Sequence, residues 1–233
     1  MRVFLFAIAY FIPHLVLSQI VNVEMNGVPV RLKSYTEIDG SPYLFPEWST
    51  AMIATTNGGM KENVSYRFNI YENELEVVNE AGNNIYLDKR FLEFVVLSRP
   101  SSTNWDTTKD GLVPSLMFKQ GFEIVKGVDP NDLVNVLAEG ERYSLVRTFD
   151  ADLVTPPKNS YAPTAGQMFV FKEAFYLIDS KQKVSFVKPK TSTILKLIDP
   201  EDADYAKELV KAQNLDLSRE DHLVTFFQKL NER

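Results

Sequence analysis

Between Val64 and Ile70 apolar and polar side chains alternate without exception: Val64, Tyr66, Phe68 and Ile70 are separated by Ser65, Arg67 and Asn69. Successive side chains of an extended chain point to opposite faces, so a period of two describes a strand with one buried and one wet face. A helix would scatter these four apolar residues around its circumference. The pattern continues beyond: Leu75 and Val77 alternate with Glu74 and Glu76, and the turn-forming "NEAGNN" leads into Ile85 and Leu87. Short alternating segments separated by turn residues predict a meander of antiparallel strands.

Other segments extend that reading. "VNVEMNGVPVRL" places Asn26-Gly27 between two alternating stretches, a two-residue hairpin signal, with Pro29 pointing to a sheet edge. "RFLEFVVLS", residues 90–98, is nearly continuous in apolar residues and predicts a strand near the sheet centre, covered on both faces. Strands are expected to resume with "SLMFKQGFEIVK", and "LVNVLAEGERYSLVRTF" reads as a hairpin turning at Glu139-Gly140. A helix from Asp129-Pro130 to Gly140 competes with the first arm of that hairpin; the strand reading is preferred. "DLVTPPKNSYAPTAGQ" has three prolines and predicts a surface excursion before two more strands in "MFVFKEAFYLIDSKQKVSFVKP".

The texture then changes. In "LIDPEDADYAKELVKAQN", Asp199 suits a helix cap, Pro200 the first helical position, and Ala203, Ala206, Leu209 and Val210 share one face. Asn214 can end that helix. Ser218 with Asp221 can start another, with Leu223, Phe226, Phe227 and Leu230 on its apolar face. The expected fold class is mainly β (α+β): a curved or two-layer antiparallel sheet built from hairpins, closed by a C-terminal pair of amphipathic helices. Residues 19–48 form an N-terminal arm, 49–198 the β domain, and 199–233 the helical pair packed on the same domain.

Residues 1–18, "MRVFLFAIAYFIPHLVLS", have one basic residue followed by an apolar run with small residues near its end, the pattern of a secretory signal peptide. Cleavage after Ser18 leaves Gln19 first and removes Arg2 as the only charge. A retained anchor is the competing reading, disfavoured by the shortness of the run. No later run approaches spanning length, so no transmembrane segment is expected in the mature chain. Its localisation is expected to be periplasmic or extracellular. The chain has no cysteine, so neither a disulfide nor a lipidated thiol is possible. Its formal net charge of −6, one unit more negative after cleavage, disfavours nucleic acid as a partner.

Catalytic chemistry has few residues to draw on. His14 leaves with the leader, and His222 stands in the first turn of the last expected helix, where a solvated helix residue is the simpler reading than a general base. Thiol nucleophile, serine elbow, zinc spacing and phosphate loop are all missing from the sequence. Glu72, Glu74 and Glu76 would share one strand face, either as an acid pair or calcium ligands, or more simply as a charged solvent face. Asp106 and Asp110 in "NWDTTKDG" lack calcium-loop spacing and read as a polar turn. Asn63-Val64-Ser65 matches the eukaryotic glycosylation pattern and reads more simply as a turn leading into the best strand. No cofactor or metal is expected.

"GSPYLFPEW", residues 40–48, gathers Tyr43, Leu44, Phe45 and Trp48 around Pro42 and Pro46. The prolines hold the preceding residues extended, so the segment is stiff and suits docking. Two readings follow: a lid laid across the open end of its own sheet, which is preferred, or a clamp facing a partner. Tyr43, Leu44, Phe45, Trp48 and Trp105 are therefore the candidate partner or ligand contacts.

"GSPYLFPEW", followed by "YRFNIYENELEV" and "GNNIYL", resembles an uncharacterised exported (periplasmic) protein family of Bacteroidota. Leu145-Val146-Arg147 and the ending "KPKTSTILKLIDPEDADYAKELVKAQNLDLSREDHLVTFF" match the family's later strand and helical tail. Asn69 before Ile70 and Tyr71 departs from its tighter tyrosine spacing. The resemblance implies export and a shared fold, and brings no catalytic residues. Three functions are carried forward: a non-catalytic envelope protein binding a protein or surface polymer, a periplasmic carrier of a lipophilic ligand, and a carboxylate-dependent enzyme acting on glycans.

Overall fold

The computed structural model describes residues 25–30, 35, 38–100, 111–155 and 166–233. The leader at residues 1–18 lies outside them. Among the described residues eleven strands form one sheet: β1 (Gly27–Pro29), β2 (Ser49–Thr55), β3 (Met60–Asn69), β4 (Glu74–Val78), β5 (Asn84–Leu87), β6 (Leu92–Ser98), β7 (Ser115–Lys119), β8 (Val134–Ala138), β9 (Tyr143–Val154), β10 (Met168–Asp179) and β11 (Val184–Val187). Their spatial order is β1-β5-β4-β3-β2-β6-β7-β8-β9-β10-β11, with antiparallel pairing throughout. Three helices follow: α1 (Thr191–Ile194), α2 (Ala203–Ala212) and α3 (Glu220–Asn231). The mainly β architecture and the C-terminal helical pair are as expected, and α1 is an addition.

The alternation in β3 holds for its apolar face, but the expected wet face is incomplete: Arg67 is half-buried, and Asn69 is 1% exposed with its side-chain oxygen accepting from the Tyr71 and Glu72 amides. Val64, Tyr66 and Phe68 are buried with Leu75 and Val77 of the neighbouring strand, whereas Ser65 is exposed. Asn63 adopts φ 56 beside a break in register where Ala51 faces Val64 but Ile53 faces Lys61. One extra residue is accommodated there as a bulge, and asparagine tolerates the left-handed backbone that it needs. β6 sits at the middle of the strand order as expected. Its Leu92, Val95 and Leu97 face the core, while Glu93 is exposed and Phe94 and Val96 are half-buried, so the second face is only partly covered.

Several segments differ from the sequence reading. β9 runs on to Val154, so the excursion expected from Asp152 opens as strand, and residues 156–165 lie outside the described ones. Asn26-Gly27 makes no tight turn: Gly27 lies within β1 opposite Leu87, and the Asn26 carbonyl accepts from the Asp88 amide. A Cβ on Gly27 would lie 2.0 Å from the Tyr86 carbonyl oxygen, so glycine there allows close strand approach instead of turning the chain. Pro29 does lie on an edge strand. In "SLMFKQGFEIVK" the strand stops at Lys119; Gly121 (φ 90) and Gly127 (φ 86) bracket a turn region whose Phe122 and Val125 are buried. Those two side chains plug one face of the sheet against Val134, Val136, Val146 and Ile178.

The contested segment is the β8–β9 hairpin, with residues 139–142 as its turn. Asp129 to Asp132 form a single turn, with the Asp129 amide donating to the Asp132 carboxylate. Helix α2 begins at Ala203, later than Asp199-Pro200 implies, because the expected first turn is occupied by a separate turn at Asp199–Asp202. Asn214 ends it with φ 50. Ser218 does not cap α3; its hydroxyl and amide both donate to Asp216.

The core falls into three regions. The inner face of β2–β7 packs with Phe45 of the arm and with Ala151 and Phe169 from the far ends of β9 and β10. Strands distant in the sheet order thereby meet in one core, so the sheet is rolled. On the second half, α2 and α3 bury Leu209, Leu223, Phe226, Phe227 and Leu230 against Tyr143, Leu145, Phe175 and Leu177. The plug of Phe122 and Val125 covers the opposite face.

Candidate functional site: the cavity beneath the N-terminal arm

The arm is hydrogen-bonded into the mouth of the roll. The Leu44 amide donates to the Phe68 carbonyl at 2.9 Å, and the Pro42 carbonyl accepts from the Ile70 amide at 2.8 Å. Proline can serve there because only its carbonyl is required. On the other side, Asp39 makes a parallel bridge to Met168, with its amide donating to Gln167 and its carbonyl accepting from Phe169. Gly40 (φ 83) lies so close to β10 that a Cβ would sit 2.7 Å from the Phe169 carbonyl oxygen. The arm thus ties the end of β3 to the start of β10.

Side chains hold it there by different means. Phe45 is 3% exposed and belongs to the core, Leu44 is half-buried, and Trp48 is 38% exposed. Tyr43 donates its hydroxyl to Glu76 at 2.9 Å, and the Arg67 guanidinium lies 3.9 Å from the Tyr43 ring centroid and 5.1 Å from that of Trp48. Burial, followed by the bond to Glu76, pushes the Tyr43 hydroxyl well above its ordinary range. Of the expected partner contacts among the described residues, Phe45 is committed to the core and only Trp48 is more than a third exposed. Trp105, Asp106 and Asp110 lie outside the described residues.

The glutamate trio is not a shared solvent face. Glu72 is in the turn before β4, Glu74 is half-buried beside Lys89, and Glu76 is 1% exposed, paired with Arg67 at 2.9 Å. Glu76 can be buried because a guanidinium and a phenol satisfy it. Burial raises the Glu74 carboxyl while Lys89 acts against that rise. Asn63 of the glycosylation pattern is exposed on the bulge. His222 accepts a 3.0 Å hydrogen bond from the Asp216 amide at Nδ1, tying the start of α3 to the preceding loop. Among the described residues no cluster of three or more His, Cys, Asp or Glu is placed to hold a metal ion, and no helix is long and apolar enough to cross a membrane.

Beneath the arm lies a cavity of about 470 Å³. Leu44 and Phe45 form one wall, Phe149, Phe171 and Phe175 another, and Leu223 of α3 contributes from a third side. At its base a charged cluster joins sheet and helix. Glu220, 8% exposed, accepts from Arg147 Nη1 at 2.8 Å, from Arg99 Nη2 at 3.2 Å and from the Val113 amide at 3.3 Å. Burial lowers the Arg99 guanidinium from its ordinary value, with Glu220 acting in the opposite direction. Arg147, 4% exposed, also donates from Nε to Asn135 at 3.0 Å and stacks over Phe149 and Phe175 with centroid distances of 4.6 and 5.3 Å. Its Nη2 is buried and has no hydrogen-bond partner.

The sequence reading named Arg147 only within the Leu145-Val146-Arg147 segment of the family resemblance and gave no site role to Arg147, Arg99 or Glu220. A signal for Arg147 was present: Tyr143, Leu145, Arg147 and Phe149 share one face of β9, so an arginine stands on a face otherwise apolar or aromatic. Glu220 lies among the charged residues of "SREDH" and nothing in the sequence distinguishes it. Next to the cavity and sharing Phe149, Phe171 and Glu173 with it is a wider trough of about 770 Å³, lined also by Tyr71, Asp150 and Lys172. Comparison of the chain with protein-family models, with curated proteins and with solved structures finds no match.

Proposed function

We propose that this chain is an exported, non-catalytic binding protein that carries a lipophilic ligand in the cavity beneath its arm. The observation that carries this reading is the cavity itself: its volume lies in the range of small-molecule sites, and aromatic and aliphatic side chains dominate its walls. The arm supplies one wall of the enclosure, and the side at Phe171 and Glu173 is open to solvent. Catalysis is disfavoured by how the nearby carboxylates are used: Glu220 and Glu76 are buried against arginines, and the Glu72–Glu76 trio does not converge. The pattern of residues 1–18 supports export, in keeping with the resemblance to Bacteroidota envelope proteins. Native mass spectrometry of the protein, purified from its export compartment without detergent, tests both parts. The expected species begins at Gln19 and carries one small hydrophobic molecule per chain; a chain retaining residues 1–18, or one with nothing bound, would overturn the corresponding part.

A second reading, binding of a surface polymer, draws on the neighbouring trough. Tyr71 and Phe171 are 41% and 52% exposed there beside Asp150 and Lys172, a mixture of rings and polar groups suited to a hydrated chain. Retention of the protein on immobilised envelope polysaccharide, lost in Phe171→Ala, is the outcome this reading requires.

A further inference from the structure

We propose that the free edge of β11 takes up an extended acidic segment of a partner protein as an added strand. The two ends of the sheet are not alike. At β1 the edge is short and carries Pro29, which has no amide hydrogen to offer. At β11, Val184–Val187 contains neither proline nor glycine, and it lines neither the cavity nor the trough. The Asp179 amide donates to the Lys183 carbonyl at 3.2 Å, which makes these two residues a hydrogen-bonded pair. Antiparallel pairs alternate between bonded and non-bonded, so Ser185 opposite Leu177 and Val187 opposite Phe175 bond to β10. Val184 and Phe186 then turn their amides and carbonyls outward. Among the described residues no other group takes these up.

The side chains around the edge state what would lie there. Phe186 is 56% exposed, with its ring 5.9 Å from that of Tyr176, and Tyr176, Val184 and Ile178 continue this apolar face inward. An edge built only to repel neighbours has no use for an exposed ring. Lys181, Lys183, Lys188 and Lys190 flank the strand, all exposed, and residues 181–190 contain no acidic residue. Two carboxylates stand near: Asp199 is 3.6 Å from Lys181, and Asp179 accepts from the turn amides of Lys181 and Lys183. Lys183, Lys188 and Lys190 make no ion pair among the described residues. In a chain of formal net charge −6 this edge is a basic one. A second copy paired edge to edge would bring lysines against lysines, whereas acidic residues at the ends of a docking strand would meet them favourably. Main-chain bonds to Val184 and Phe186 supply the attachment, and the lysines and the Phe186 ring supply the choice of partner.

The probe is a blocked peptide in which valine and threonine alternate between paired glutamates at each end, titrated against the full chain. One control carries lysines in place of the glutamates. A second keeps the glutamates and is N-methylated at its valines and threonines, which removes the strand donors without changing the charge. The acidic peptide is expected to bind at one site and to slow hydrogen exchange of the Val184 and Phe186 amides, with both controls roughly tenfold or more weaker. Phe186→Pro removes an outward amide and the exposed ring but no bond to β10, and is expected to abolish binding with thermal unfolding little changed. Equal binding of the lysine peptide would overturn the acidic partner, and equal binding of the N-methylated peptide would overturn strand addition. No binding, or binding that leaves the two amides exchanging as before, would overturn the site. Dimerisation of the chain alone, lost in Phe186→Pro, would give the edge to a second copy instead. Exchange in the wild-type chain decides the matter even if the variant fails to fold.

Discussion

Phe45 and Trp48 stand three residues apart in the same proline-stiffened segment and have opposite environments, which makes them a direct measure of what seats the arm. Truncating the buried Phe45 to alanine removes a ring from a packed core and is expected to cost about 3–5 kcal/mol. Trp48→Ala removes a half-open ring resting near Arg67 and is expected to cost under about 1 kcal/mol. Urea denaturation of the two variants checks both; equal losses would show that the arm is held by its whole aromatic surface. From sequence, the arm was recognisable as a docking element because prolines and aromatics declare stiffness and a need for burial. Which aromatic is inside was not, since the bends at residues 44–47 obey no period that assigns faces. The charged base of the cavity was hidden for a related reason: Arg99, Arg147 and Glu220 converge only through tertiary packing.

Helix α3 depends on side-chain bonds to the sheet as well as on its apolar face. Asn231 accepts from the Tyr143 amide at 2.9 Å and donates to the Tyr143 carbonyl at 2.8 Å, so the end of the helix takes the part of a neighbouring strand at the start of β9. Gly140 is required for that approach: a Cβ on it would lie 2.3 Å from Asn231 Cγ. Asn231→Ala leaves both backbone groups of Tyr143 without these partners and is expected to destabilise the protein by about 1–3 kcal/mol. Hydrogen exchange should show faster exchange of the Tyr143 amide, with little change in β2 and β3; unchanged exchange at Tyr143 would refute this role for Asn231. At this scale most of the fold was legible. Alternation located β3 to β5, turn signals at Glu139-Gly140 and after the proline-rich stretch located β9 to β11, and the apolar stripe of Leu223, Phe226, Phe227 and Leu230 located α3. The failures came where glycine has two meanings: Gly27 permits a close strand approach, and Gly121 ends a strand, and neither role changes the local hydrophobic pattern.

For the molecule as a whole, buried tyrosines set the alkaline limit of stability. Burial, together with the Asp202 carboxylate, pushes the Tyr143 hydroxyl up to about 12, although a bond from the Asp199 amide lowers it somewhat. Tyr43 and Tyr66 are raised further, chiefly by burial. An unfolded tyrosine ionises near pH 10, so between there and the folded values the native state holds more protons than the unfolded one. Stability is therefore full below about pH 10 and falls as the pH rises towards 12. The acid limb has the opposite sign: Asp88, Asp216 and Asp221 are lowered by hydrogen bonds from Arg90, Ser218 and Arg219. Their contribution is present above the ordinary aspartate range and is lost as the pH falls through it, but these are surface groups and the loss is small. Thermal unfolding followed across pH should show a steep decline above pH 10 that Tyr143→Phe makes shallower; an unchanged slope in that variant would contradict the assignment.

The bridge between Asp39 and Met168 also orders events in time. The arm leaves the ribosome before the strands to which it binds, and its partner on β10 is among the last strands to be made. A contact between segments so far apart in the chain carries a large loop-closure cost and forms late. Until then, the inner face of the first strands lacks its clasp to β10 and the ring of Phe169. The nascent chain thus passes through a stage in which one end of that apolar face stays open, and it is then that a chaperone would have most to hold.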